Sequence, residues 1–116
     1  MFIFENLEAY KKAIALAKKI FSANKSIKDR TIKDQLCRAV LSVPLNIAEG
    51  QGRYHQKEKR QFYCTAKGSL YESLPLVQLC FELQYFDAAQ YEEIYGLMNE
   101  VGRVLSGLIR SVKGEE

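Results

Sequence analysis

Seven side chains near the end of the chain, Tyr91, Ile94, Met98, Val101, Leu105, Leu108 and Val112, follow one another three or four residues apart without a break. That spacing returns to one side of an α-helix at every turn and fits no strand, whose faces alternate at every second residue. A long apolar stripe on a single helix is stable only when other elements cover it. The rest of the chain must therefore supply partner helices.

It supplies three. The first is expected from about Asn6 to Ala23, with Leu7, Tyr10, Ile14, Ala17 and Phe21 on one seam and Ala9, Ala13, Leu16 and Ile20 beside it. The second should begin near Asp29 or Thr31, with Thr31 and Asp34 as a capping pair, and bury Ile32, Leu36, Ala39, Val40, Val43 and Ile47. The third should run from His55 or Gln56 to about Gln84 on Phe62, Ala66, Ser69 or Leu70, Ser73, Val77, and Cys80 or Phe81. Asp87 and Gln90 form the clearest helix start, with Phe86 placed to staple onto Tyr91. Nowhere does strand-like alternation compete. Four helices with short connections predict an all-α, antiparallel up-down-up-down four-helix bundle, one domain over residues 1–116.

Local signals refine this. Pro44 interrupts the second helix's bonding to Val40, so a kink is expected there. Pro75 should bend the third helix near Tyr71 or break it into two pieces, and the bend is favoured because the apolar spacing stays in phase across it. Gly50 and Gly52 are placed to stop the second helix in the left-handed conformation. Gly68 and Ser69 are small enough for another helix to approach closely. Arg38, Ser42, Asn46, Glu49 and Arg53 fall four, four, three and four residues apart, which aligns polar groups on one side of a helix.

Composition limits the function. Hydrophobic residues make up 47% and charged residues 27% of 116, the balance of a globular domain. No apolar run approaches the roughly 20 residues that cross a bilayer. Met1–Phe4 is too short for a signal-peptide core, so the expected location is the cytoplasm, without membrane partners. Cys37, Cys64 and Cys80 are odd in number and unrelated in spacing, and the one histidine, His55, is remote from them in sequence. They read as small buried hydrophobes, and no metal or other cofactor is expected. No nucleophile–base arrangement and no phosphate-cradling loop is present; Gly50-x-Gly52 lies at a helix end, not between strand and helix. Catalytic residues are thus not expected. Glu49 and Glu72 read as register-fixing carboxylates, with Arg38 and Arg53 as partners.

Charge is uneven. Residues 1–60 carry 13 Lys/Arg against 6 Asp/Glu, and residues 61–116 carry 4 against 8. Lys11, Lys12, Lys18, Lys19 and, just past the first helix, Lys25 form what is ordinarily a solvated stripe. Arg53, His55, Lys57, Lys59 and Arg60 cluster around Tyr54, a combination suited to contacting a nucleic-acid backbone and stacking a base. The plainer alternative is a basic connection that keeps the chain soluble. Seven tyrosines without tryptophan, and broad apolar faces on the first and last helices, predict a homo-oligomer.

The run Ser42-Val43-Pro44-Leu45-Asn46-Ile47-Ala48-Glu49-Gly50, followed by Gly52-Arg53, resembles a signature of the four-helix bundle proteins encoded in intervening sequences of bacterial 23S ribosomal RNA genes. Gln61-Phe62-Tyr63, with Ala66 through Glu72, is similar to that family's second signature. The resemblance implies an all-α bundle assembled as a homopentamer. It also implies kinship with the accessory variability determinant proteins of diversity-generating retroelements, whose basic pentamers are thought to engage reverse transcriptase and nucleic acid. Pro75 and a net charge of only +3 depart from that pattern. Two functions follow as expectations: an oligomeric RNA- or DNA-binding accessory protein, or an oligomeric scaffold for another protein such as a reverse transcriptase.

Overall fold

The computed structural model describes Phe4 and residues 7–112. Its helices are α1 (Glu8–Ala23), α2 (Arg30–Gln51), α3 (Gln56–Glu82) and α4 (Ala88–Ser111), with one 3₁₀ turn at Asn24–Ser26 extending α1. Asn6, the expected first residue of α1, lies outside the described residues. Each helix packs against the next, and α1 closes the arrangement on α4.

Direction follows from which residues meet. Lys12 reaches Glu100 and Lys19 reaches Glu93, so advancing along α1 means retreating along α4. Ser42 pairs with Ser69 and Gln51 with Tyr63, which opposes α2 to α3. Phe81 stacks on Tyr91, and Leu70 lies against Gly102, which opposes α3 to α4. With those three pairs antiparallel, α1 and α2 must be antiparallel too. The bundle is an elongated 48 × 23 × 22 Å.

The core follows the apolar spacing with two corrections: α3 buries Tyr63 where Phe62 is expected, and Ile14 and Phe21 of the expected α1 seam stay 40% exposed. Leu16, Ile20, Leu36, Val40, Val43, Ile47, Val77, Ile94, Val101 and Leu105 are fully buried around Tyr63 and Phe86. Ser73 is the one buried polar residue among those described, and its hydroxyl donates to Leu70 O at 2.6 Å. Burial pushes the Tyr63 phenol up, and its hydroxyl donates to Gln51 Oε1 at 3.0 Å. The Lys12 ammonium, by hydrogen bond and charge, holds the Glu100 carboxyl below its usual range. A depressed carboxyl favours the folded state above its unfolded pKa, so this contact weakens as pH falls through the carboxylate range.

Several local expectations need correcting. Asp29, not Thr31, caps α2: its carboxylate accepts from Ile32 N at 3.0 Å. Neither Gly50 nor Gly52 is left-handed; Gly52 ends α2 at φ −78°, ψ −7°, and among the described residues only Gln84 has positive φ, at 64°. Gly50 lies inside α2 for a different reason. A Cβ there would sit 2.7 Å from Tyr63 Cε1 and 3.0 Å from Phe62 Cβ, so the missing side chain lets α3 lie directly on α2. Gly68 does the reverse of what its size suggests, since it is exposed and open space surrounds its Cβ position. Both prolines sit within unbroken helices, Pro44 buried and Pro75 exposed. The capping box at Asp87 and Gln90 forms as expected, but Tyr91 stacks on Phe81, at 4.5 Å between ring centres, where Phe86 was expected.

The cysteines divide. Cys80 is buried, which pushes its thiol up to about 11, whereas Cys37 is half-buried and Cys64 exposed. Three buried cysteines were expected; Cys64 falls on the outward side of α3, where nothing covers it. A thiol-exchange titration of native protein should therefore show Cys64 reacting fast and Cys80 only after denaturant is added. Three equally fast thiols would contradict the packing.

Candidate nucleic-acid interface and assembly surface

The stretch from Ser42 to Arg53 divides into two parts with different work. Ser42 and Asn46 turn toward α3. Ser42 Oγ lies 2.7 Å from Ser69 Oγ, and Asn46 Nδ2 donates to Ser42 O at 2.8 Å and to Ser42 Oγ at 2.9 Å. This ties the axial position of α2 to α3, and the small Ser69 makes the contact that Gly68 was expected to share. At the end of α2, Arg53 Nη2 donates to Glu49 Oε2 at 2.7 Å, one helical turn away, and the guanidinium lies 4.6 Å over the Phe62 ring. Arg38 and Glu72 are exposed and make no hydrogen bond or ion pair among the described residues, so the expected pairing of Glu72 is not formed.

The basic run at 53–60 is likewise only partly outward. Lys59 Nζ reaches back to Gly50 O at 3.2 Å and Gln51 O at 3.0 Å. An ammonium on the last carbonyls of a helix is favoured by the unsatisfied acceptors and by the negative end of the helix dipole. Lys59 and Arg53 thus close the α2–α3 turn as much as they present charge. Lys57 and Arg60 are exposed and unengaged among the described residues. Tyr54 is 89% exposed, with its ring edge-on to His55 at 5.2 Å. The outward part of this site is therefore Tyr54, His55, Lys57 and Arg60.

A second surface lies on α1 and α2. Lys12 and Lys19 mark the flank of α1 that meets α4. They are therefore not part of an outward lysine stripe; Lys11 and Lys18 are. Ile14 and Phe21 stand about 200° further round α1, on the α2 side, and each is 40% exposed. On α2, Ser42 and Asn46 mark the α3 flank, and Cys37, facing Asn24, marks the α1 flank. Leu41 and Leu45 lie outside the latter, and Leu45 is 62% exposed. These four large apolar side chains border one outer face of the α1/α2 pair. The expectation of spare apolar surface on α1 and α4 holds for α1, but α2 rather than α4 supplies the other half.

Between α3 and α4 runs a cleft of about 340 Å³, floored by Leu70, Leu74 and Met98 and walled by Tyr71, Tyr95, Asn99, Arg103 and Ser106. Among the described residues no cluster of three or more His, Cys, Asp or Glu side chains is placed to hold a metal ion, and no helix is long and apolar enough to cross a membrane.

The fold is similar to a crystal structure of a protein of unknown function from the S23 ribosomal protein family of Bacteroides thetaiotaomicron VPI-5482. The TM-score is 0.83 at 21% identity, covering 88% of this chain and 98% of the other. Comparison with curated proteins returns no match. A family model matches residues 5–107, nearly the whole bundle including the Ser42–Arg53 stretch, and so the chain belongs to the 23S rRNA-intervening sequence protein family.

Proposed function

We propose that this protein is a non-catalytic, cytoplasmic homo-oligomer that contacts the RNA or DNA backbone through its α2–α3 turn. The observation that carries the reading is the outer strip of Ile14, Phe21, Leu41 and Leu45, four of the large apolar side chains left in water, grouped on the α1/α2 pair. Exposed apolar groups grouped on one face mark association surfaces. A pentamer is the assembly that the family resemblance implies. Each copy then adds Lys57 and Arg60 to a repeated basic surface, and multiplying a weak field around an axis strengthens attraction to phosphate without base readout.

The engagement of Arg53 and Lys59 within the subunit favours a second reading, an oligomeric scaffold for another protein such as a reverse transcriptase. One pair of measurements separates them. Light scattering should return a multiple of 13.3 kDa. Anisotropy of labelled single-stranded RNA should rise in low salt, fall steeply as salt is added, and weaken in Lys57→Ala/Arg60→Ala. An oligomer without any RNA signal at high micromolar protein leaves the scaffold; a monomer defeats both.

A further inference from the structure

We propose that the α3/α4 cleft seats an unpaired base of a single-stranded nucleic acid, with Tyr71 and Tyr95 as stacking walls and Lys67 and Arg103 as phosphate contacts. The inference rests on the nucleic-acid reading above and moves its centre away from the α2–α3 turn. Three observations support it.

The first is the cleft's chemistry. Its volume of about 340 Å³ is bounded by two exposed tyrosines, an amide at Asn99, a hydroxyl at Ser106 and one cation, Arg103, over an apolar floor; none of its lining residues is acidic. A flat ring with hydrogen-bonding edges and an attached anion matches those groups, because aromatic side chains accept any base face and amides pair with base edges. A purely apolar partner would leave the amide, the hydroxyl and the guanidinium unmatched.

The second is alignment. Arg60, Lys67 and Tyr71 are seven and four residues apart on α3 and so share one face. They make a track of roughly 16 Å from the turn to the cleft. Cys64 lies on the same track, and no carboxylate interrupts it. A strand that meets Lys57 and Arg60 is thereby led toward Tyr71.

The third is the state of the residues. Tyr71 is 64% exposed, and its ring already carries the Lys67 ammonium at 5.6 Å from the centroid, so a cation and a ring face are presented together. Arg103 bears on the Glu100 carboxyl, but that carboxylate is turned to Lys12 on the α1 flank, which leaves the guanidinium outward.

The chain has no tryptophan, so its near-ultraviolet emission comes from tyrosine, and a base stacking in the cleft should quench it. A fluorescein-labelled oligouridylate of about 12 nucleotides serves as probe for anisotropy, and its unlabelled form for quenching. Tyr71→Ala should weaken binding about tenfold with little change in salt dependence, while Tyr71→Phe keeps it. Lys67→Ala or Arg103→Ala should each lower the salt slope by about 0.7. If Lys57→Ala/Arg60→Ala abolishes binding while Tyr71→Ala and Arg103→Ala bind as the parent does, the cleft assignment falls and the nucleic-acid reading stands. If the parent protein does not bind in low salt, both fall. Uridine monophosphate binding as tightly as the oligonucleotide would make the cleft a mononucleotide pocket and overturn the strand. A fall in assembled mass in Tyr71→Ala would place the cleft between copies and overturn it as well.

Discussion

Gly50→Ala should destabilise the fold even though alanine is the better helix former. The new methyl would lie 2.7 and 2.9 Å from the ring of Tyr63, which is wholly buried and has no room to swing away. Overpacking of this kind costs about 1–3 kcal/mol, against a helix-propensity gain of about 1 kcal/mol. The net expectation is a loss of up to about 2 kcal/mol, and more for Gly50→Val. Gly68→Ala is the matched control. Open space surrounds that position on the same pair of helices, so the propensity gain should stand alone and raise stability by up to about 1 kcal/mol. Thermal melts followed by circular dichroism at one protomer concentration would rank the three proteins. Gly50→Ala melting at or above the parent would mean that α2 and α3 do not meet as described.

The second large effect concerns assembly. Leu41→Glu/Leu45→Glu should leave helicity nearly unchanged, because both side chains are exposed, Leu45 at 62% and Leu41 at 43%, and surface changes rarely exceed about 0.5 kcal/mol. The same carboxylates buried between two subunits would lack partners and cost several kcal/mol per contact. Light scattering should then fall to the 13.3 kDa of one chain. Lys11→Glu/Lys18→Glu, on the solvated side of α1, should leave the assembled mass unchanged. Retention of the parent mass by the double leucine variant would move the contact elsewhere, and loss of helicity would show that those leucines belong to the core.

Periodicity made most of the architecture legible, for a physical reason. A helix long enough to hold the spacing of Ile94, Met98, Val101 and Leu105 has only one way to remove it from water. What periodicity does not carry is which flank of a helix acquires a neighbour. Ile14 and Phe21 share a seam with buried Ala17, yet they lie just past the reach of α2 and stay half in solvent. Gly50 and Gly68 read alike as small residues; only the fact that Tyr63 stands opposite one of them and nothing opposite the other separates their roles. The basic run had the same ambiguity. Lys57 and Lys59 are two residues apart and look equivalent, but a step of two places them on different sides of α3, one toward water and one toward the carbonyls of α2. The α3/α4 cleft had no signal of its own, since Tyr71 and Tyr95 come together only through antiparallel packing.

That antiparallel order also fixes where anything tethered to the bundle would go. α1 starts, α4 finishes, and α2 hands over to α3 all at one end of the 48 Å long axis, while the other two turns share the opposite end. A domain or tag joined to the start of α1 or the end of α4 would be leashed at the same end as Lys57 and Arg60 and would compete sterically with whatever docks there. A reporter spliced into the turn between α3 and α4 would hang from the far pole and leave that end unobstructed.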